Sequence, residues 1–514
     1  MSVAERMMSG NTAMKGGLLW LTAIELATAN FMAVLDMTIA NVSVASIAGN
    51  LGISGTQGTW VITSYSVAEA IIVPLTGWLA GRFGPVRVFV TAMSLFGMCS
   101  SFCGFSNSLA MLVFGRVMQG LAGGSLMPLS QTLLLRIFPK EKAGAAMALW
   151  AMTTLVAPVV GPILGGWICD NYTWPMIFFI NVPIAIICAP LAWRMLKRFE
   201  EAPVRAPIDR IGLALLIIFV GALQLMLDLG KDQDWFESTE ICTLAIVAVI
   251  GFIAFLMWES GERHPIVNLK VFRHRGFTAC AITISIGFGA MFASNVLTPL
   301  WLQSFMGYTA TWAGMAAAWT GVLAIVGAPI AGGLVTKVDP RKLIFFGLMW
   351  LATIMILRTV QTTDMTYWQI SIPLLLMGLG LPFFFVPLTA LGLGSVEESE
   401  TASAAGVLNF IRTLSGAVGT SIVTTAWENN SNYMHAELSG LVDRTGELAR
   451  GLANAGAPHD VALTVMDNLT YGQSVMLSMN ELMLFTSVGF VIGALVIWIA
   501  PRPSRAVNMM QAGH

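Results

Sequence analysis

Charged residues are scarce in this chain: they make up 11% of its 514 residues, where a soluble domain carries roughly 25%. With 56% hydrophobic residues and a mean hydropathy of +0.76, no water-soluble fold hides so much apolar surface. The six cysteines (Cys99, Cys103, Cys169, Cys188, Cys242, Cys280) contain no C-x-x-C pair. That excludes a zinc ribbon or dithiol centre and leaves small apolar packing as their role. No phosphate-binding loop, H-E-x-x-H or G-x-S-x-G string occurs, which argues against ATP as an energy source and against a membrane enzyme. A formal net charge of -1 and the lack of a long basic run give no ground for a nucleic-acid partner. No cofactor and no metal is expected.

What the chain has instead is apolar blocks, each long enough to cross hydrocarbon as a helix of about 20 residues. They predict spans at 18–40, 58–80, 87–106, 109–131, 143–166, 175–196, 211–229, 241–259, 277–301, 310–334, 343–360, 366–391, 403–426 and 478–500. The first block follows Lys15 and has no A-x-A-like processing site, so it reads as a retained helix. With the amino terminus inside, 21 of the 27 basic residues, from Arg6 and Lys15 through Arg502 and Arg505, fall on the cytoplasmic side. That asymmetry is what the positive-inside rule requires, and it puts both termini in the cytoplasm. One inner loop disobeys: Gly394 to Thr401 carries Glu397, Glu398 and Glu400 and no base.

A repeat organises these spans. Pro74, Gly77, Leu79, Arg82, Pro85 and Arg87 match Pro329, Gly332, Leu334, Lys337, Pro340 and Lys342 at one constant offset of 255, which Gly52 and Gly307 also obey. Parallel six-helix repeats with an access path between them are a transporter architecture. The expected fold class is an all-α integral membrane protein of two six-helix bundles plus two extra helices. Its predicted order is a cytoplasmic segment 1–17, an amino-terminal bundle 18–196, a linker 197–275 with two inserted spans, a carboxy-terminal bundle 276–500 and a cytoplasmic tail 501–514. Residues 427–477 read as a polar periplasmic loop, either a small partner-facing element or a linker.

A charge inside hydrocarbon costs about 2.5 to 3.5 kcal/mol on insertion scales, so each needs a partner or water. The candidates are Glu25 and Asp36 in span one, Glu69 in span two, Arg116 in span four, Asp228 near the end of span seven and Arg412 in span thirteen. Eleven residues separate Glu25 from Asp36, which places them within about 20° on one helical face. Asp36 and Arg116 fall at similar depth, about 6 to 10 Å below the outer surface. An aspartate there exchanges a proton for an arginine partner; the alternative is a permanent ion pair that only sets helix register. Glu25 and Glu69 read either as proton carriers or as solvated cavity walls, and Asp228 as an interfacial acid. Pro158 and the run Gly161-Pro162-Ile163-Leu164-Gly165-Gly166 give span five a smooth, bendable face, read as hinge or packing.

Six strings together resemble the fourteen-span drug:proton antiporters of the major facilitator superfamily, most closely the EmrB type of the EmrB/QacA group. They are Leu35-Asp36-Met37-Thr38-Ile39-Ala40-Asn41-Val42, Arg116-Val117-Met118-Gln119-Gly120, Gly161 to Gly166, Gln57 to Ser64, Trp174 to Pro183, and Asn409 to Gly416 with Arg412. In the loop after span two, Gly77, Leu79, Arg82, Gly84 and Arg87 keep the family pattern, but Gly81 stands where an acid is usual. The resemblance implies proton coupling through Arg116 and export of hydrophobic antimicrobials. It also implies a periplasmic EmrA-type adaptor and a TolC-type outer-membrane channel, with the chain in the inner membrane among its lipids.

Thr28, Asn30, Met32, Gln119, Phe292 and Asn295 are the candidate walls of a drug cavity, an apolar surface with few polar groups. Asp36 and Arg116 are expected to face the crevice between the bundles. Two rival readings are an exporter of one native metabolite, such as a siderophore, bile salt or lipid, and a non-transporting sensor or scaffold.

Overall fold

The computed structural model describes residues 14, 16–53, 55–58, 60–139, 142–200, 209–262, 265–397, 400–442 and 458–502. The readings placed on 1–13, 201–208, 443–457 and 503–514, and on Lys15, Lys140, Arg263 and Glu398, lie outside them. Fourteen long helices take the fourteen predicted places. They are α1 (Gly16–Leu51), α2 (Trp60–Phe83), α3 (Pro85–Gly104), α4 (Leu109–Gly123, continued by Leu126–Ile137), α5 (Ala143–Asn171), α6 (Asn181–Leu196) and α7 (Arg210–Leu229). Then follow α8 (Thr239–Gly261), α9 (Arg275–Ser304), α10 (Ala310–Val335), α11 (Pro340–Leu357), α12 (Tyr367–Gly394), α13 (Thr401–Val442) and α14 (His459–Val496). Helix is the only structure these runs can take alone in hydrocarbon, because it satisfies every backbone N–H and C=O internally.

Helices α1–α6 and α9–α14 form two bundles, while α7 and α8 pack on each other with α7 against α2 and α13. The extra pair is peripheral: 22% of the apolar window of α8 is buried, against 83% for α12. The repeat is legible in the backbone. Gly52 after α1 and Gly307 after α9 turn with φ of +66° and +69°, a left-handed conformation that glycine adopts without a Cβ clash.

The ends of α2, α4 and α6 carry Arg82, Arg136 and Arg194 and define a basic face. There the repeat glycines also act alike. A Cβ on Gly77 would lie 2.9 Å from Ser403 Cα of α13, and one on Gly332 would lie 2.6 Å from the Gly144 carbonyl oxygen of α5. Both seams between the bundles are therefore closed at the basic face. Farther along, α5 bends by 40° between Gly144–Pro158 and Val160–Asn171, where Pro158 and Pro162 remove helix donors.

The described parts of the polar stretch 427–477 are helical from 427 to 442 and from 459 to 477. Helix α13 runs 42 residues and α14 runs 38 residues, so each extends well past a hydrocarbon core of about 30 Å. The overhanging parts pair through Trp427 Nε1 to the Val475 carbonyl (3.2 Å), Asn430 to Glu481 (2.7 Å) and His435 to Asp467 (3.0 Å). We call this end the hairpin face.

The acidic loop that broke the charge rule also has a physical account. Arg273, just before α9, pairs with Glu397 at 2.7 Å and Glu400 at 3.2 Å, and the His274 ring lies 3.1 Å from Glu400. The carboxylates are neutralised across the fold instead of within their own loop.

Asp339 caps α11 outside the membrane: its carboxylate accepts from the Arg341 backbone N–H and guanidinium at 3.0 and 2.7 Å. The guanidinium holds the Asp339 carboxyl below its ordinary value. A lowered folded-state pKa adds stability that is full above the unfolded value of about 3.9 and is lost as pH falls below it. Asp339→Asn keeps a capping oxygen and removes the ion pair, so it is expected to cost no more than about 1 kcal/mol near pH 7, with the gap in melting temperature narrowing as pH falls below about 3.9 in detergent.

Candidate functional site

Five buried helices of the amino-terminal bundle converge on one carboxylate. Asp36 of α1 is 1% exposed, and its Oδ2 accepts from Arg116 Nη1 of α4 at 2.5 Å. Its Oδ1 accepts from Gln119 Nε2 at 2.9 Å and from Asn181 Nδ2 of α6 at 2.6 Å. Gln119 also donates to Ser100 of α3 (2.7 Å) and accepts from Arg116 (2.9 Å). Arg116 Nε donates to the Val61 carbonyl of α2 at 2.9 Å, and the guanidinium lies 4.2 Å from the Tyr65 ring. This approach needs Gly120: a Cβ there would lie 2.5 Å from the Tyr65 carbonyl oxygen, so the glycine lets α4 lie against α2. A buried pair of this kind is costly to break, because either charge alone is left desolvated.

Glu25 also lies inside the amino-terminal bundle, 3% exposed, with neither carboxylate oxygen hydrogen-bonded among the described residues. Its electrostatic neighbour is Cys188, which stands seven residues after Asn181 on the same face of α6. Glu25 and Asp36 therefore share the face of α1 that looks at α6. Glu69 of α2 is 1% exposed and interacts electrostatically with Arg412 of α13, across the seam between the bundles. Arg412 donates to the Met127 sulfur at 2.7 Å, and its guanidinium lies 5.6 to 5.9 Å from the Trp150, Phe288 and Phe385 rings. Beside it Asn409 donates to Gln131 of α4 at 2.9 Å.

The expectation that Asp36 and Arg116 face the crevice does not describe this geometry. They are enclosed within the amino-terminal bundle, while Glu69 and Arg412 stand at the seam. The physical reason is hydrogen-bond demand: three donors are needed to hold Asp36, and they come from α4 and α6, not from the other bundle.

Helix α5 joins the two regions. A Cβ on Gly161 would lie 2.2 Å from Thr38 Oγ1, and one on Gly165 would lie 2.9 Å from the Ile39 carbonyl oxygen, so this face packs on α1 just past Asp36. Its Ile163 meets Gly314 of α10, and its Gly144 meets Gly332. A Cβ on Gly166 meets nothing within 4 Å, so that glycine is not needed for contact.

The family profile described as Major Facilitator Superfamily matches residues 26–420. Fatty acid resistance protein FarB of Neisseria gonorrhoeae is 43% identical over 494 residues, covering 95% of this chain and 97% of that protein. Multidrug export protein EmrB of Escherichia coli K12 is 42% identical over 495 residues, with coverage of 95% and 97%. The chain belongs to the Major Facilitator Superfamily, as an EmrB-type member. A bacterial homologue of the human lysosomal transporter Spinster, solved inward-facing and unoccupied, shares the fold with a TM-score of 0.55 at 13% identity, covering 95% of this chain and 98% of that one. Membership makes the chain a transporter and not an enzyme.

The other predicted site residues of this Major Facilitator Superfamily protein take varied positions. Arg87 lies beside Glu200, whose carboxylate accepts its backbone N–H at 2.9 Å, and the Arg82 guanidinium rests 5.8 Å from the Trp78 ring. Of the residues expected to line a drug cavity, Gln119 is spent on the Asp36 cluster, Asn30 donates to Thr153 and Thr154 of α5, and Met32 is fully buried. Thr28 and Phe292 are half-buried and Asn295 is exposed. Asp228 accepts from Gln224 at 3.2 Å and bonds Thr63, tying α7 to α2.

Sequence reasoning missed Asn181, Ser100 and Tyr65. Asn181 is an amide in an otherwise apolar run and was the available signal. His274, Glu397 and Glu400 gather ligand atoms within 4.8 Å, but Arg273 occupies both carboxylates, so the group reads as a salt-bridge cluster.

Proposed function

We propose that this chain exports hydrophobic and amphiphilic drugs in exchange for protons by alternating access. The observation that carries the reading is Asp36, a carboxylate sealed in a membrane bundle against a single guanidinium. Protonation of Asp36 releases Arg116, and the rearrangement is transmitted by α5, whose glycine face packs on α1 and whose other contacts form the seam. Glu25, on the same face of α1 and closer to the basic face, is the next proton carrier, and Glu69 with Arg412 reports protonation at the seam.

The basic face is cytoplasmic by the positive-inside rule, which puts both termini inside and the chain in the bacterial inner membrane. The hairpin of α13 and α14 then projects into the periplasm, where it suits an EmrA-type adaptor leading to a TolC-type channel.

Purified protein in liposomes with an imposed pH gradient tests this. Accumulation of an amphiphilic dye that collapses when the gradient is dissipated is expected; accumulation that ignores the gradient sinks it. Asn181→Leu removes one of three donors to Asp36, so the pH profile of transport is expected to shift relative to the parent. An unchanged pH profile at normal expression contradicts that role for Asn181.

A second reading, export of fatty-acid-like carboxylates, is supported by the FarB relative and by Arg412. Its Nη1 has no hydrogen-bond partner among the described residues and its guanidinium is ringed by aromatic side chains, which suits an anionic head on an apolar body. A deletion strain separates the readings: sensitivity to long-chain fatty acids alone supports the second, and a broad drug profile supports the first.

A further inference from the structure

The carboxy-terminal bundle contains a buried cation that no carboxylate among the described residues neutralises. Arg358, which follows the last residue of α11, is 1% exposed. Its Nη1 donates to Ser294 Oγ at 3.2 Å and its Nη2 to Thr298 Oγ1 at 2.6 Å, both on α9. Those hydroxyls are already committed as donors, Ser294 to the Met355 sulfur (3.5 Å) and Thr298 to the Ser294 carbonyl (3.0 Å), so they position the guanidinium and neutralise nothing. Among the described residues no carboxylate forms an ion pair with Arg358.

Three buried donors on these segments are unsatisfied. Arg358 Nε, Gln361 Nε2 and Trp301 Nε1 are buried and have no hydrogen-bond partner among the described residues. Trp301, 0% exposed, lies seven residues after Ser294 and three after Thr298, on the α9 face that holds the guanidinium. Gln361, 2% exposed, follows Arg358 by three residues, and its backbone carbonyl accepts from Asn480 Nδ2 of α14 at 2.9 Å. The unsatisfied acceptors here are Gln361 Oε1 and Asn480 Oδ1, both carried by amides that can reorient.

The repeat makes the deficit specific. Helices α9, α11 and α14 correspond to α1, α3 and α6, whose buried polar residues surround Asp36 and Arg116. The amino-terminal bundle meets Arg116 with an aspartate; the carboxy-terminal bundle meets Arg358 with hydroxyls alone among the described residues. An isolated buried charge is the most expensive arrangement a membrane bundle can hold, and hydrogen-bond donors left beside it deepen the deficit of negative charge.

We propose that the carboxy-terminal bundle binds a small monovalent anion of the chloride class, held by Arg358 Nε with the Trp301 and Gln361 N–H groups. One guanidinium balances one negative charge, which favours a monovalent anion over sulfate. The enclosure by fully buried side chains excludes the head of a bulky amphiphile. The site lies near the hairpin face, where α11 ends.

Binding of radiolabelled chloride to the full-length protein in detergent, after exchange into gluconate, tests this. Saturable binding of about one ion per chain is expected, displaced by bromide and not by sulfate. Arg358→Met is expected to abolish it. Trp301→Phe, which keeps the ring and removes the N–H, is expected to weaken it about tenfold, the order set by one charge-assisted hydrogen bond. Absence of saturable binding in the unmodified chain, or unchanged affinity in Trp301→Phe and Arg358→Met, overturns the proposal; displacement by sulfate as effective as by bromide overturns the monovalent assignment. Should Arg358→Met fail to fold, Gln361→Leu joins Trp301→Phe as the deciding pair, with the same outcomes.

Discussion

Asp36→Asn is expected to reduce drug-induced proton release from everted vesicles to background, a loss of at least about a hundredfold per folded chain, with a lower yield because Arg116 loses its counter-charge. Asparagine fills the same space but has a single acceptor oxygen, so it can meet Arg116 or the amides of Gln119 and Asn181 but not both, and it carries no titratable proton. Arg116→Ala is a different injury. It leaves Asp36 buried and uncompensated, which costs about 3 to 5 kcal/mol or forces the acid to stay protonated, so coupling fails and yield falls. The combination separates a coupling role from a register role: Asp36→Leu with Arg116→Met restores apolar packing and is expected to recover melting temperature without recovering exchange. Recovery of exchange in that double variant would make the pair purely structural.

The second large effect is expected at Gly144 and Gly332, outside the Asp36 cluster. A Cβ on Gly144 would lie 2.2 Å from the Gly332 carbonyl oxygen, a backbone atom that no side-chain rotation can move aside. Gly144→Val therefore holds the basic face open, and dye export should drop about a hundredfold with helix content unchanged. The distance between spin labels placed at Gly81 and Lys337, in a cysteine-free background, is expected to lengthen and to lose its shorter population. Gly166→Ala is the control: nothing lies within 4 Å of its Cβ position, so transport should stay within about twofold of the parent. An unaltered label distance in Gly144→Val would show that closure of this seam is not part of the cycle.

Much of this architecture was legible in the residues because hydrocarbon permits so few alternatives. An apolar run of twenty residues has one stable form in a bilayer, so α1 to α14 fell where hydropathy placed them. The match of Asp36 to Arg116 followed from counting residues from span ends, since helical rise fixes depth. The offset relating Gly52 to Gly307 surfaced as two left-handed turns of nearly equal φ.

What sequence left hidden depends on rotation about helix axes. Depth does not say whether a residue looks into its own bundle or toward the other, and Asp36 proved to be enclosed. Gln119 is polar enough for a cavity wall, but its amide is the right length to bridge Asp36 and Ser100. Asn181 is neutral, so no cost of burying a charge flagged it. The stretch 427–477 read as loop because polarity marks departure from hydrocarbon, and polarity alone is silent on whether the helix continues beyond it.

That continuity has a mechanical consequence. With 42 residues at a rise of about 1.5 Å each, α13 is a rod of roughly 63 Å, and only about half of it is needed to cross the hydrocarbon. A rod clamped in a rocking body works as a lever. A turn of the carboxy-terminal bundle by about 15°, the scale of rigid-body switching in other assemblies, sweeps the outer tip through on the order of 10 Å. Under the proposed alternating access, each turnover would be broadcast beyond the bilayer as a stroke that a neighbouring protein seated on the tip would feel without touching the drug.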